Sequence, residues 1–170
     1  MDKEILVISG GGIKGISVLG AVQALEELNK LSVINTFAGT SIGGIICCML
    51  SIGYSGKELY EFVLSYDLAN IKNIDLVNIL NKYCVDNGAK LEAFLVEMLK
   101  GKDIDSNITL LELYNKTKKR LILTTICLNT PEKPIYLWYK TFPNLPILVA
   151  LRMTSALIPF YSYVAYNKKM

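Results

Sequence analysis

Residues 37–44 read FAGTSIGG, and residues 9–15 read SGGGIKG. What flanks these two glycine turns decides the fold. Before the first lies Glu4–Ser9 (EILVIS), a short apolar run closed by three glycines, which predicts a buried parallel strand. After Gly15 the period changes: Ile16, Leu19, Val22, Ala24, Leu25 and Leu28 make the apolar stripe of a helix. Leu31–Ala38 (LSVINTFA) reads as a second strand. Ile42–Ile52 (IGGIICCMLSI) reads as a helix so apolar that it is covered on all sides. Strand, helix, strand and helix within about 50 residues predict a parallel sheet flanked by helices.

Both turns therefore join a strand to a helix. Gly10, Gly12 and Gly15 satisfy G-x-G-x-x-G, which suggests a dinucleotide fold first. That fold needs a carboxylate at the end of the second strand, where this chain has Ala38-Gly39-Thr40-Ser41. A Walker loop fails too, because Lys14 precedes the last glycine. Gly39, Ser41 and Gly43 form G-x-S-x-G, which on a strand-to-helix bend lifts a serine hydroxyl clear of the sheet. The same residues also suit a softened turn with Ser41 as helix N-cap. Adjacent parallel strands end on one edge, so both loops are expected to face one crevice. There Ser41 would meet the exposed N–H groups of Gly10, Gly11 and Gly12 at a helix N-terminus, as acyl transfer requires.

The whole sequence contains no histidine. That removes Ser-His-Asp and Cys-His catalysis and the common zinc and iron sites. Cys47, Cys48, Cys84 and Cys127 sit among apolar neighbours and are expected as reduced core residues. A net charge of +3 with scattered basic residues gives no footprint for nucleic acid; the dense run KTKKR at 116–120 reads as the solvated end of a helix. No apolar stretch is long enough to span a bilayer and the N-terminus is not a signal peptide, so a cytoplasmic chain is expected.

Further on, helices are expected over Ser55–Leu68, with Ser55 as cap, over Lys90–Leu99, and from a Thr109/Glu112 capping box to about Lys118. RLILTTICLN at 120–129 reads as a strand, TPEKP at 130–134 as a turn and IYLWY at 135–139 as the returning strand. A last helix enters through Pro146 and stops before Pro159.

GGGIKG at 10–15 followed by GTSIG at 39–43 resembles the patatin-like phospholipase family, and RMTSALIPFYS at 152–162 is similar to the Ser-x-x-x-Pro segment before that family's last catalytic strand. The resemblance covers residues 1–170 as the N-terminal and central part of one domain. It implies a three-layer α/β sandwich with a mainly parallel central sheet flanked by helices, ending before the last catalytic strand. It implies hydrolysis of fatty-acyl lipid esters by a serine–aspartate dyad, with no metal or cofactor. On this reading Ser41 is the nucleophile and Gly10, Gly11 and Gly12 line the oxyanion hole. Lys14 stands where the family has Arg or Lys, and Gly15, Gly39 and Gly43 complete the motifs.

The chain departs from the family at the base. The family's Asp lies in a D-G-G or D-G-A turn after the proline segment, whereas this sequence has no Asp-Gly pair and no aspartate after Asp105. Asp67, Asp75, Asp86, Asp103 and Asp105 read as surface carboxylates or caps. Three readings follow: a longer protein with the Asp beyond Met170, a chain that has lost its base, or a Ser-Lys variant using Lys14. The competing functions are a lipid-binding module on the same fold and, less favoured, a nucleotide-binding domain. The aromatic run IYLWYKTF at 135–142 is a candidate for peripheral membrane contact, against its plainer reading as a strand of alternating core and exposed aromatics.

Overall fold

The computed structural model describes residues 4–65 and 84–166. Four strands form one sheet in sequential order: β1 (Glu4–Ile8), β2 (Ile34–Gly39), β3 (Arg120–Cys127) and β4 (Thr130–Leu137). β1, β2 and β3 run parallel and β4 returns antiparallel, so the sheet is mainly parallel. The register pairs Ile8 with Gly39, the last residue of β1 with the last of β2. Both glycine turns therefore leave the sheet at one level, which the parallel strands dictate.

Among the described residues six helices accompany the sheet: α1 (Gly15–Glu27), α2 (Ile42–Ser51), α3 (Gly56–Ser65), α4 (Ala89–Lys100), α5 (Leu110–Thr117) and α6 (Ile147–Ser155). α2 is covered on all sides, as its composition predicts: every residue from Gly43 to Ser51 is buried, against β1, β2, β3 and α6. Within it the Cys47 thiol donates to the Ala38 carbonyl at 3.2 Å, and burial pushes its pKa up to about 12. Burial raises the Cys48 thiol as well. Neither is a thiolate at neutral pH, which removes both as nucleophiles. Cys127 departs from the expected core position, being only partly buried; all four thiols are free.

The caps fall where the sequence puts them. The Ser55 hydroxyl accepts the Glu58 N–H at 3.0 Å while the Glu58 carboxylate accepts the Ser55 N–H at 2.7 Å. Thr109 and Glu112 form the same reciprocal box on α5. The expected end of the Ser55–Leu68 helix lies outside the described residues.

Three elements differ from the sequence reading. Leu31–Val33 form a 3₁₀ turn, and the strand begins only at Ile34. TPEKP is part of β4, with the turn at Leu128–Asn129. A proline is tolerated there because β4 is an edge strand: Pro134 pairs with Ile126 beside an irregularity in register, where no ladder N–H is demanded of it. β1, expected as a buried strand, leaves Ile5 and Val7 exposed, since it lies at an edge of the sheet formed by the described residues. The last helix, α6, enters through Pro146 and stops at Ser155, before Pro159, as expected.

The aromatic run packs largely against the protein itself. Ile135 is partly buried, Tyr136 exposed and Leu137 buried, an alternating strand, and Tyr139 stacks on Tyr114 with ring centroids 3.9 Å apart. KTKKR straddles the end of α5, its left-handed cap at Lys118 and the start of β3; Lys119 is partly buried with its ammonium 5.4 Å from the Phe37 ring centre.

Candidate active site

Ser41 sits between β2 and α2 at φ 53°, ψ −126°, a conformation that L-residues rarely adopt and that surroundings must enforce. Two glycines make that bend sterically feasible. A Cβ on Gly39 would lie 2.5 Å from the Gly43 carbonyl, and one on Gly43 would collide with the carbonyl oxygens of Ile8 and Ser9. A third constraint comes from α6. The Ser41 N–H donates to the Thr154 hydroxyl at 3.0 Å, and that hydroxyl donates to the Thr124 carbonyl on β3 at 2.7 Å. The Ser41 side chain makes no hydrogen bond to another described residue and stands half-buried.

The first glycine turn lies directly against the second: a Cβ on Gly10 would be 3.5 Å from the Cβ of Ser41. Gly12 has φ +55°, which suits glycine, and the Lys14 N–H closes the turn on the Gly11 carbonyl at 3.1 Å. None of Gly10, Gly11 and Gly12 donates its N–H to another described residue, nor does Ile42, the first residue of α2. Among the described residues, unpaired N–H groups of Gly10 and Ile42 thus lie next to Ser41, the latter at the N-terminus of α2, where partial positive charge accumulates. Gly15 permits close packing of the two turns, since a Cβ there would collide with Ile42. Lys14 is exposed and outside the pocket lining.

Ser41 opens onto a cavity of about 210 Å³. Ile45 and Met49 of α2, Leu59 of α3, and Phe94 and Met98 of α4 line its apolar part, while among the described residues Ser41, Ser155 and Tyr161 bring its hydroxyls. The apolar part of this pocket suits an aliphatic chain. Among the described residues no cluster of three His, Cys, Asp or Glu gathers to hold a metal ion.

A family model for "Patatin-like phospholipase" matches residues 6–170, nearly the whole sequence. The chain belongs to this family. A patatin-like relationship also fits the individual comparisons. "Probable lipid hydrolase 463L" of Invertebrate iridescent virus 6 is 32% identical over 168 residues, covering 96% of this chain and 57% of the viral protein. "Triacylglycerol lipase ptl3" of Schizosaccharomyces pombe is 28% identical, covering 91% of this chain and 32% of the yeast protein. Among solved structures, ExoU of Pseudomonas aeruginosa superposes with a TM-score of 0.68 at 22% identity, over 90% of this chain and 38% of ExoU, which shows a shared fold. The patatin-like chain spans about half the length, or less, of the relatives it matches.

Two features of the patatin-like site escaped the sequence. Asp86 is 5% exposed, not a surface carboxylate, although it does cap: its Oδ1 accepts the Gly88 N–H at 2.7 Å beside the start of α4. Its backbone pairs with Phe160 and Ser162, and Arg152 of α6 donates to the Asn87 carbonyl at 3.0 Å. The segment carrying Tyr161 is thereby tied to the pocket wall. Thr154 is the other. Its only signal is its place in the quoted RMTSALIPFYS segment. Replacing it by valine keeps the shape but strands the Ser41 N–H and the Thr124 carbonyl. Thr154→Val is expected to lower kcat by about 10- to 100-fold with little change in KM, as a misplaced reacting group does. Thr154→Ser is expected to restore most of the rate. Steady-state kinetics on the three proteins decides it: equal kcat values would mean that Ser41 holds its geometry without the clamp.

Proposed function

We propose that the chain hydrolyses fatty-acyl esters of lipids, with Ser41 as nucleophile. The observation that carries this is the conjunction at one pocket: an elbow serine, a glycine turn packed against it at Gly10, and an apolar cavity leading away. The Ser41 Oγ attacks the ester carbonyl and its proton passes to a carboxylate base. The N–H groups of Gly10, Gly11 and Gly12 stabilise the oxyanion. Collapse of the tetrahedral intermediate expels the alcohol, which takes the proton, and water then releases the fatty acid from Ser41. In this reading the base is an aspartate outside these 170 residues, consistent with the chain's covering 57% of the viral lipid hydrolase. Lys14 adds positive charge near the developing oxyanion.

The protein meets its substrate at a lipid surface. Ile13, in the pocket lining, is 70% exposed, and Leu157 and Phe160 stand exposed on the turn that carries Tyr161. Among the described residues no helix is long and apolar enough to cross a membrane.

A second reading, acyl-chain binding without turnover, is favoured by the absence of an Asp-Gly turn from the sequence. The intact mass of the protein made from its native gene, paired with an assay on long-chain esters, separates the two. A mass above 18.9 kDa with ester turnover is expected. A mass of 18.9 kDa with fatty-acid binding and no turnover would establish the second reading. A protein that neither binds nor cleaves would refute both.

A further inference from the structure

Four serines lie inside described helices, and one behaves differently. Ser17, Ser51 and Ser65 each donate to the carbonyl three residues back, at 2.6, 2.7 and 2.9 Å, the usual refuge of a helical hydroxyl. Ser155, the last residue of α6, does not. It is 5% exposed, and its Oγ finds no hydrogen-bond partner among the described residues. Its neighbour Thr154 uses its hydroxyl twice, as donor and as acceptor, so the local backbone does not prevent bonding.

A buried hydroxyl without a partner is unfavourable, and its removal alone is close to neutral or stabilising. Ser155 is nonetheless held in the wall of the cavity onto which Ser41 opens, a cavity otherwise lined almost wholly by aliphatic and aromatic groups. An aliphatic chain filling it has no use for a hydroxyl. The ester that joins such a chain to its alcohol has two acceptor oxygens and no donor, and it must lie beside Ser41 when the chain is bound.

We infer that the Ser155 hydroxyl donates a hydrogen bond to the ester group of an acyl chain seated in this pocket, and is satisfied only when that ester is bound. This rests on the acyl-ester reading above and adds a substrate-contacting residue to it. Ser155 then selects for esters over hydrocarbon chains of equal length. The adjacent Thr154 and Ser155 divide the work, one fixing the nucleophile's backbone and the other the ester it faces.

The test uses the Ser41→Ala protein, in which turnover cannot confuse binding. Calorimetric titration with a long-chain fatty-acid methyl ester is compared between Ser41→Ala and Ser41→Ala/Ser155→Ala. The second substitution is expected to weaken ester binding about tenfold, the loss of one hydrogen bond. Binding of the alkane of matching length is expected not to change, and the thermal midpoint to stay level or rise. Equal ester affinity in the two proteins, or no ester binding by either, overturns the inference. So does a fall in thermal midpoint, which would reveal a structural partner for the hydroxyl. Because binding is read without catalysis, a failure of Ser41 to act as nucleophile leaves this result interpretable.

Discussion

Ser41→Ala is expected to lower kcat/KM for ester hydrolysis by about 10⁴-fold or more and to abolish labelling by a fluorophosphonate, with the thermal midpoint unchanged. The size of the first effect follows from the loss of the covalent route. Cys47 and Cys48 are protonated in the core, and among the described residues the other hydroxyls lining the cavity, Ser155 and Tyr161, do not sit on the elbow beside the glycine turn. The absence of a stability effect follows from the geometry. The Ser41 side chain gives up no hydrogen bond, while the contact that holds the elbow runs through its backbone N–H to Thr154 and survives the substitution. Alanine carries the same positive-φ strain as serine. Labelling that persists in the variant would move the nucleophile elsewhere and sink the proposed mechanism.

Gly43→Ala is expected to have the largest effect on folding, about 3–5 kcal/mol, enough to remove much of the stability of a single domain. The added Cβ meets the carbonyl oxygens of Ile8 and Ser9, which are backbone and cannot swing aside. Relief requires lifting α2 from the end of β1, yet α2 is the most deeply covered helix of the fold. Gly20→Ala provides the control, since nothing lies within 4 Å of a Cβ built there on exposed α1. That substitution is expected to stabilise by about 0.5–1 kcal/mol through helix propensity. Thermal denaturation of both variants settles the contrast. A Gly43→Ala protein melting with the parent would show that the helix–strand contact is not the constraint described here.

The sheet and the site were not equally legible in the sequence. The two glycine turns, the strands before them and the wholly apolar α2 could be read directly, but not the burial of β1: Ile5 and Val7 are exposed, because burial depends on what the fold lays over a strand and not on its own composition. Capping boxes at Ser55 and Thr109 were legible because the hydrogen bonds are local, three residues apart. TPEKP misled because its prolines signal a turn locally, and only the position of β4 at the sheet edge excuses them. At the site, Ser41 and the glycines form contiguous motifs and stand out. Thr154, Ser155 and Asp86 do not, since an isolated hydroxyl or carboxylate carries no periodicity. Their roles arise from what the fold brings beside them, and a buried Asp86 reads in sequence like any solvated aspartate.

The bond from Ser41 to Thr154 joins residues 113 positions apart, and Thr154 in turn reaches back 30 positions to β3. Closing so long a loop comes late in folding, after local helices and neighbouring strands have formed. The bend that holds Ser41 is therefore complete only when folding is complete. A growing chain on the ribosome, or one clipped ahead of α6, carries the serine and both glycine turns yet holds them unarmed.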